Sequence, residues 1–172
     1  EIVRRIHKSA DLGGAEISII EIGGTVGDYQ NIMFIDAARV LKLANPDDVL
    51  FVMVSFLPVP SKLGEMKTKP TQNAIRQLNS YGVQPDIIIA RSATPLDKKR
   101  KEKIAVSCNV SAGKVISAPD VESIYDVPLN FEKDNIGEII VRELGLSARE
   151  KKTDLPLWKR FITKTKTAER AI

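Results

Sequence analysis

The chain has 172 residues, 43% hydrophobic and 28% charged, enough for one globular domain with a real core. It carries one cysteine and one histidine, which excludes an internal disulfide and argues against a histidine-rich zinc site or a Ser-His-Asp triad, and no apolar run reaches the roughly 18 residues of a membrane helix. The net charge of +4 resides in residues 148–172, with eight Lys/Arg against three acids, leaving −1 on residues 1–147; the basic pI describes a tail, so nucleic-acid binding by the body is not expected.

Residues 1–10 read as a basic helix with Ile2, Val3 and Ile6 at helical spacing. The N-terminus has charges but no continuous apolar core, so it is not a signal peptide, and a cytoplasmic protein is expected. It also lacks an initiator Met and reads as a piece of a longer chain. Residues 17–22, with Ile17, Ile19, Ile20 and Ile22, predict a buried strand that carries Glu21 near its end and runs into Gly23, Gly24, Gly27 and Asp28. Residues 31–42 predict a helix, and residues 47–56 a strand covered on both faces. The segment 57–69 is a loop longer than most connections. A helix follows at 70–81, with Pro70 in its first turn and Gly82 at its end. "PDIIIAR" is another strand. Residues 97–106 form a charged helix with Ile104 and Val106 inward, "KVISAPD" is a fourth strand, and Asn135 caps a last helix over 136–144, closed by Gly145.

Four short double-sided strands alternating with helices predict an α/β fold, a mostly parallel sheet with helices on both faces. Ligands bind such sheets beyond the carboxyl ends of the strands. Glu21–Asp28, the 57–69 loop, Arg91 and Asp120 are all expected there, converging on one crevice.

An isolated carboxylate at a buried strand end costs several kcal/mol unless paired or metal-bound. Glu21 reads either as a Mg²⁺ ligand beside a nucleotide or as half of a structural salt bridge. "GGTVG" is not a P-loop, because no G-x-x-x-x-G-K-[ST] occurs in the chain. In "KTKPTQ", Lys67 and Lys69 precede a helix N-terminus, with a hydroxyl from Thr68 or Thr71 and an amide from Gln72 nearby. That set suits a triphosphate; the plain alternative is a solvated basic loop. Lys103 lies in a charged run and is placed to turn inward only by its neighbour Ile104. Arg91 ends a buried strand and needs a partner, and Asp120 either binds a ligand or caps a turn.

The motifs "EIGGTVGD", "GEMKTKPTQ", "PDIIIARS", "CNV" and "APDVESIYDVP", in this order and spacing, closely resemble the synthetase (amidoligase) domain of the CTP synthase family over residues 1–147. Residues 148–172, with Trp158, resemble the basic helical segment leading to that family's interdomain linker. The resemblance implies a P-loop-NTPase-like fold and a reaction in which ATP phosphorylates the uracil 4-oxygen of UTP and ammonia displaces the phosphate to give CTP. It implies Mg²⁺, ATP as co-substrate, CTP as product inhibitor, a glutaminase domain supplying ammonia, and a homo-tetramer. Carried over by motif, Glu21 corresponds to a Mg²⁺ ligand. Asp28, Tyr29, Gln30 and Asp36 correspond to pyrimidine-nucleotide contacts, as do Lys67, Thr68, Lys69, Gln72 and Lys103, partly across a subunit interface. Arg91, Pro119, Asp120 and Val121 correspond to adenine-side contacts of ATP. Cys108 matches no catalytic cysteine.

Gln30 stands where many of the family have Glu, which is expected to weaken a charged contact to CTP. The family's opening strand, glycine-rich phosphate loop and following acidic Mg²⁺ ligand have no counterpart in these 172 residues, so the chain alone is not expected to make CTP. Three other functions fit parts of the pattern: a dethiobiotin-synthetase-like amidoligase, a non-catalytic nucleotide-sensing or assembly module, and nucleic-acid binding through the tail. The first would lack "KTKPTQ".

Overall fold

The computed structural model describes residues 1–61, 64–146 and 154–167. Lys62 and Leu63 of the expected 57–69 loop, and residues 148–153 and 168–172 of the expected tail, lie outside the described residues. In chain order the elements are α1 (Ile2–Gly13), α2 (Ile32–Ala44), β1 (Val52–Phe56), α3 (Lys69–Ser80), β2 (Ile87–Ser92), α4 (Lys98–Cys108), β3 (Val115–Pro119), α5 (Val127–Glu132), α6 (Ile136–Glu143) and α7 (Leu155–Thr167). Short 3₁₀ turns at Tyr29–Asn31, Ala112–Lys114 and Ile124–Asp126 join them.

The strands form one parallel sheet in the order β1-β2-β3. Val52 pairs with Ile87 and Phe56 with Arg91 across β1 and β2; Ile88 pairs with Val115 and Ser92 with Pro119 across β2 and β3. Alternation of side chains across the pleat then sends Met53, Ile88 and Val115 to one face, where they meet Ile75 of α3 and Ile104, Ala105 and Cys108 of α4. Ile87 and Ile116 go to the other face and meet Ile139 of α6, with Phe131 of α5 beside them. Helices therefore pack on both faces of β2 and β3, as a parallel sheet favours. Ile88, Ile104 and Ile116 are fully buried, each contributing about 1.5–3 kcal/mol by leaving water. A third cluster, Ile35, Leu78 and Val83 with Val26 and Phe51, joins α2 to α3.

Three expectations fail. Residues 17–22 do not form a strand: Ile19 is 96% exposed, and Ile17, Ile20 and Ile22 are exposed too. β1 is the last strand on its side, and among the described residues no strand lies between it and this segment to complete a ladder. The strand expected at 47–56 with both faces covered is shorter, β1 at Val52–Phe56, and its outer face is bare, with Val52, Val54 and Phe56 exposed. The third failure is one of helical phase. Val106 is 85% exposed while Ala105 and Cys108 are buried, because Ile104 and Cys108 are four residues apart and share a stripe, whereas Val106 sits on the opposite side.

The far edge of the sheet is closed differently. The amide of Ser117 in β3 donates to Asp134 Oδ2 at 2.7 Å, and the other oxygen of Asp134 takes Lys101 Nζ at 2.6 Å. The side chain that ties down this edge comes from the loop between α5 and α6, and its partner from α4.

Candidate nucleotide site

The three strand ends are stitched together. Leu57 N donates to Arg91 O at 2.8 Å, and Asp120 N donates to Ser92 O at 2.8 Å. Lys67 N donates to Pro58 O at 2.9 Å, so the loop after β1 returns to its own start. Lys67 and the first turn of α3 therefore sit directly beyond the carboxyl end of the sheet.

At that place a small charged group forms. Lys67 Nζ lies 2.8 Å from Glu65 Oε2. The Glu65 carboxyl is held below the usual carboxylate range, first by its bond to Lys67 and then by the fields of Lys67, Lys103 and Arg100. Lys67 alone contacts the carboxylate; Lys103 and Arg100 of α4 act on it through their fields, and Arg100 is itself paired with Asp97. The structure brings Lys67 and Lys103 into one neighbourhood, although Lys103 is exposed and not turned inward; the buried residue is its neighbour Ile104. Lys69, first residue of α3, is exposed beside the helix N-terminus.

The polar residues that follow face the interior. Thr71 is fully buried and its hydroxyl bonds Ser55 at 2.8 Å, so it is committed to the core. Thr68 and Gln72 are buried as well, with Gln72 Nε2 donating to Thr68 Oγ1 at 3.1 Å. That bond fixes the entry to α3.

Arg91 and Asp120 meet across adjacent strand ends at 3.9 Å, both more than half exposed. Pro119 ends β3, and a cavity of about 160 Å³ opens beside it, lined also by Leu96, Lys101, Asn130 and Asp134. A larger cavity of about 430 Å³ lies around Gln84, Asp86 and Lys114, at the amino ends of β2 and β3, away from the residues singled out by sequence.

The glycine turn is elsewhere. Gly27, at φ 101°, leaves no room for a Cβ against the Gln77 amide, and Val26 packs with Leu78 and Val83. Gln77 is eight residues beyond Lys69, about 12 Å along α3. The expected single crevice is therefore not assembled within one chain: the residues 67–72 and the Asp28–Gln30 segment lie at different heights on α3. The turn itself is braced by Asp28 Oδ2, which accepts from Thr25 N at 2.8 Å, and by Asn31 Nδ2, which donates to Gly23 O at 2.6 Å. Tyr29 and Gln30 are exposed, and Asp36 pairs with Arg39 at 2.8 Å.

Glu21 is exposed on the unpaired segment. Among the described residues no three His, Cys, Asp or Glu converge to hold a metal. One exposed carboxylate is a donor set that fits only a Mg²⁺ shared with nucleotide phosphates, the usual arrangement for that ion. Cys108 is buried, and burial pushes its thiol pKa up, the opposite of an activated nucleophile. No helix among the described residues is long and apolar enough to cross a membrane.

Two features escaped the sequence reading. One is Glu65, whose only signal was a carboxylate two residues before Lys67. The other is the aromatic contact of α7 with the turn after β3, signalled by a lone Trp158 with Phe161 one helical turn on.

A family model described as "CTP synthase N-terminus" matches residues 1–146. A CTP synthase of Methanocaldococcus jannaschii is 44% identical over 150 residues, covering 87% of this chain and 27% of its own length. Those of Symbiobacterium thermophilum and Pyrococcus furiosus are 42% and 43% identical over the whole chain, which covers 32% of each. The chain thus spans about a third of the length of these relatives.

Proposed function

The chain belongs to the CTP synthase family, matching its N-terminal part, and from that premise we propose that it is the nucleotide-binding portion of an enzyme that aminates UTP to CTP. In this reading ATP phosphorylates the uracil 4-oxygen, and ammonia from a glutaminase domain then displaces the phosphate. Lys67, Lys69 and Lys103 neutralise the pyrimidine nucleotide's triphosphate. Thr68 and Gln72, bonded to each other, hold the start of α3 so that its free N–H groups face the same anion. Asp28, Tyr29, Gln30 and Asp36 read the ring and sugar, which also lets CTP act as product inhibitor. Arg91 with Pro119, Asp120 and Val121 receives the adenine side of ATP. Glu21 would hold a Mg²⁺ that withdraws charge from the phosphates. The separation of the Asp28–Gln30 segment from Lys69 along α3 supports a pyrimidine site completed by a second subunit; the homo-tetramer comes from the family resemblance.

The observation that carries the reading is the ion pair of Lys67 with Glu65 beside the N-terminus of α3, at the carboxyl end of the sheet. In this reading the Glu65 carboxylate holds Lys67 where a phosphate would otherwise take it. The test is to supply UTP, ATP, Mg²⁺ and ammonia to the full-length protein and follow CTP, in wild type and in Glu21→Gln at limiting Mg²⁺. CTP formation that falls sharply in the variant, with glutamine hydrolysis retained, supports the reading. Nucleotide binding without any product would favour a sensing module instead.

A further inference from the structure

α7 is far from the strand ends in sequence but touches the loop that leaves β3. Trp158 Nε1 donates to the backbone oxygen of Tyr125 at 2.9 Å. The Tyr125 ring stands edge-on to Trp158 and Phe161, with centroids 6.0 and 5.2 Å away. Ile162 beneath them is 5% exposed. Lys166 Nζ closes the contact, 2.9 Å from Asp126 Oδ1. Tyr125 and Asp126 end the 3₁₀ turn Ile124–Asp126, which begins three residues after Val121.

The other end of this loop is also fastened. Asp120 N is bonded to Ser92 O, and the Asp120 carboxylate faces Arg91. Residues 120–126 are therefore a short bridge with one end sewn to β2 and the other gripped by α7. The grip is mixed: a hydrogen bond that fixes the turn's backbone, three rings in mutual contact at the surface, and an ion pair to a carboxylate whose side chain is only 18% exposed. A bridge this short has few rotatable bonds to absorb movement at either end.

We propose that α7 is a latch on the adenine-side segment, in which Trp158 and Lys166 are positioning residues that hold the turn Ile124–Asp126, and through it Pro119, Asp120 and Val121, in the arrangement that receives ATP. The inference rests on the assignment of those three residues to ATP made above. Linkage makes the coupling reciprocal: whatever tightens the latch favours ATP, and bound ATP favours a docked α7 to the same degree. Whatever chain follows α7 is thereby informed of ATP occupancy.

The test uses Trp158→Phe, which keeps a ring but removes the N–H donor, Lys166→Ala, and the double variant. Lys164→Ala, an exposed lysine of the same helix, is the control. Amide hydrogen exchange is measured on the full-length protein without nucleotide. KM for ATP and for UTP is measured on the full-length protein with ammonia as nitrogen donor. The latch predicts faster exchange through residues 120–126 in the double variant, with KM for ATP raised about five- to tenfold, a coupling of ordinary size, and KM for UTP unchanged. The control should match wild type. Faster exchange confined to 155–167, with KM for ATP unaltered, would overturn the latch. Equal losses for both nucleotides together with a lower melting temperature would also overturn it, showing α7 to be a structural prop. Faster exchange through 120–126 with both KM values unchanged would uphold the mechanical latch and overturn the placement of ATP at 119–121.

Discussion

Lys67 Nζ lies 2.8 Å from Glu65 Oε2, an ion pair between residues two apart just before the N-terminus of α3. If Lys67 binds the triphosphate as proposed, Glu65 competes with it for the same cation. Replacing it by Gln keeps the shape, frees Lys67 and removes a negative charge from beside Lys103 and Arg100. Glu65→Gln should therefore bind inorganic tripolyphosphate several-fold more tightly than wild type, by calorimetry at low salt, with the gain shrinking as salt rises. Equal or weaker binding would show that Glu65 orients Lys67 and does not compete for it.

Lys69→Ala in the full-length protein should weaken UTP and CTP together, because the two nucleotides share the triphosphate. A charge-assisted contact is worth about 1.5–3 kcal/mol, or roughly ten- to a hundredfold for each. ATP affinity and the melting temperature should hardly change. Separate titrations of the three nucleotides decide it, and a loss of ATP binding alone would reverse the assignment of the two sites.

Thr71 separates architecture from binding. Its hydroxyl is spent on Ser55 in the core, so Thr71→Val should leave a buried hydroxyl without a partner and cost about 1–3 kcal/mol in denaturant unfolding. Adding Ser55→Ala removes the orphan, and the double variant should recover part of that loss. If the single variant is as stable as wild type but binds tripolyphosphate poorly, Thr71 belongs to the site after all.

Acid should loosen α6 from β3. Lys114 Nζ sits 2.5 Å from Glu143 Oε2, both largely shielded, and this bond is the main reason the Glu143 carboxyl titrates below its ordinary range. A carboxyl depressed in the folded state stabilises above its unfolded value, near 4.3, and the contribution disappears as pH falls through the lower folded value. Glu143→Gln should therefore melt about 2–4 °C below wild type at pH 7, for a pair worth about 1 kcal/mol. The two melting curves should converge toward pH 3. A constant gap at all pH values would mean that the glutamate matters for packing and not for charge.

Much of the fold was readable because β2 and the start of β3 are buried on both sides. Runs such as Ile87, Ile88 and Ile89 have few other uses, and Pro70 marks the start of α3 without help from tertiary structure. Residues 17–22 carry the same signal and form no strand. An apolar run states what a segment does beside a partner strand, and says nothing of whether one is there. The inward face of α4 was misread for a smaller reason: Ala105 and Cys108 are less conspicuous than Val106, and only the helical phase chooses between them. Within the site, lysines and acids at motif positions were legible individually. Their grouping was not. Glu65 acquires its role from α4, some 35 residues later in sequence, and the position of the glycine turn against Gln77 depends on how α2 and α3 pack.

The uncovered side of β1 has a consequence for the chain as a material. Along its outer edge a row of backbone donors and acceptors lacks a neighbouring strand among the described residues, and beside that row Val52, Val54 and Phe56 face water. Such an edge, without a proline or a charge within the strand, is a template on which further extended backbone can add. The exposed isoleucines of 17–22 are extended apolar chain of the type that adds to it. Solutions of the isolated chain should therefore scatter more light as they are concentrated, well below the temperature at which the core melts. Its shelf life in the cold will be set by collisions between molecules, and diluting it will preserve it better than any ligand for the nucleotide site.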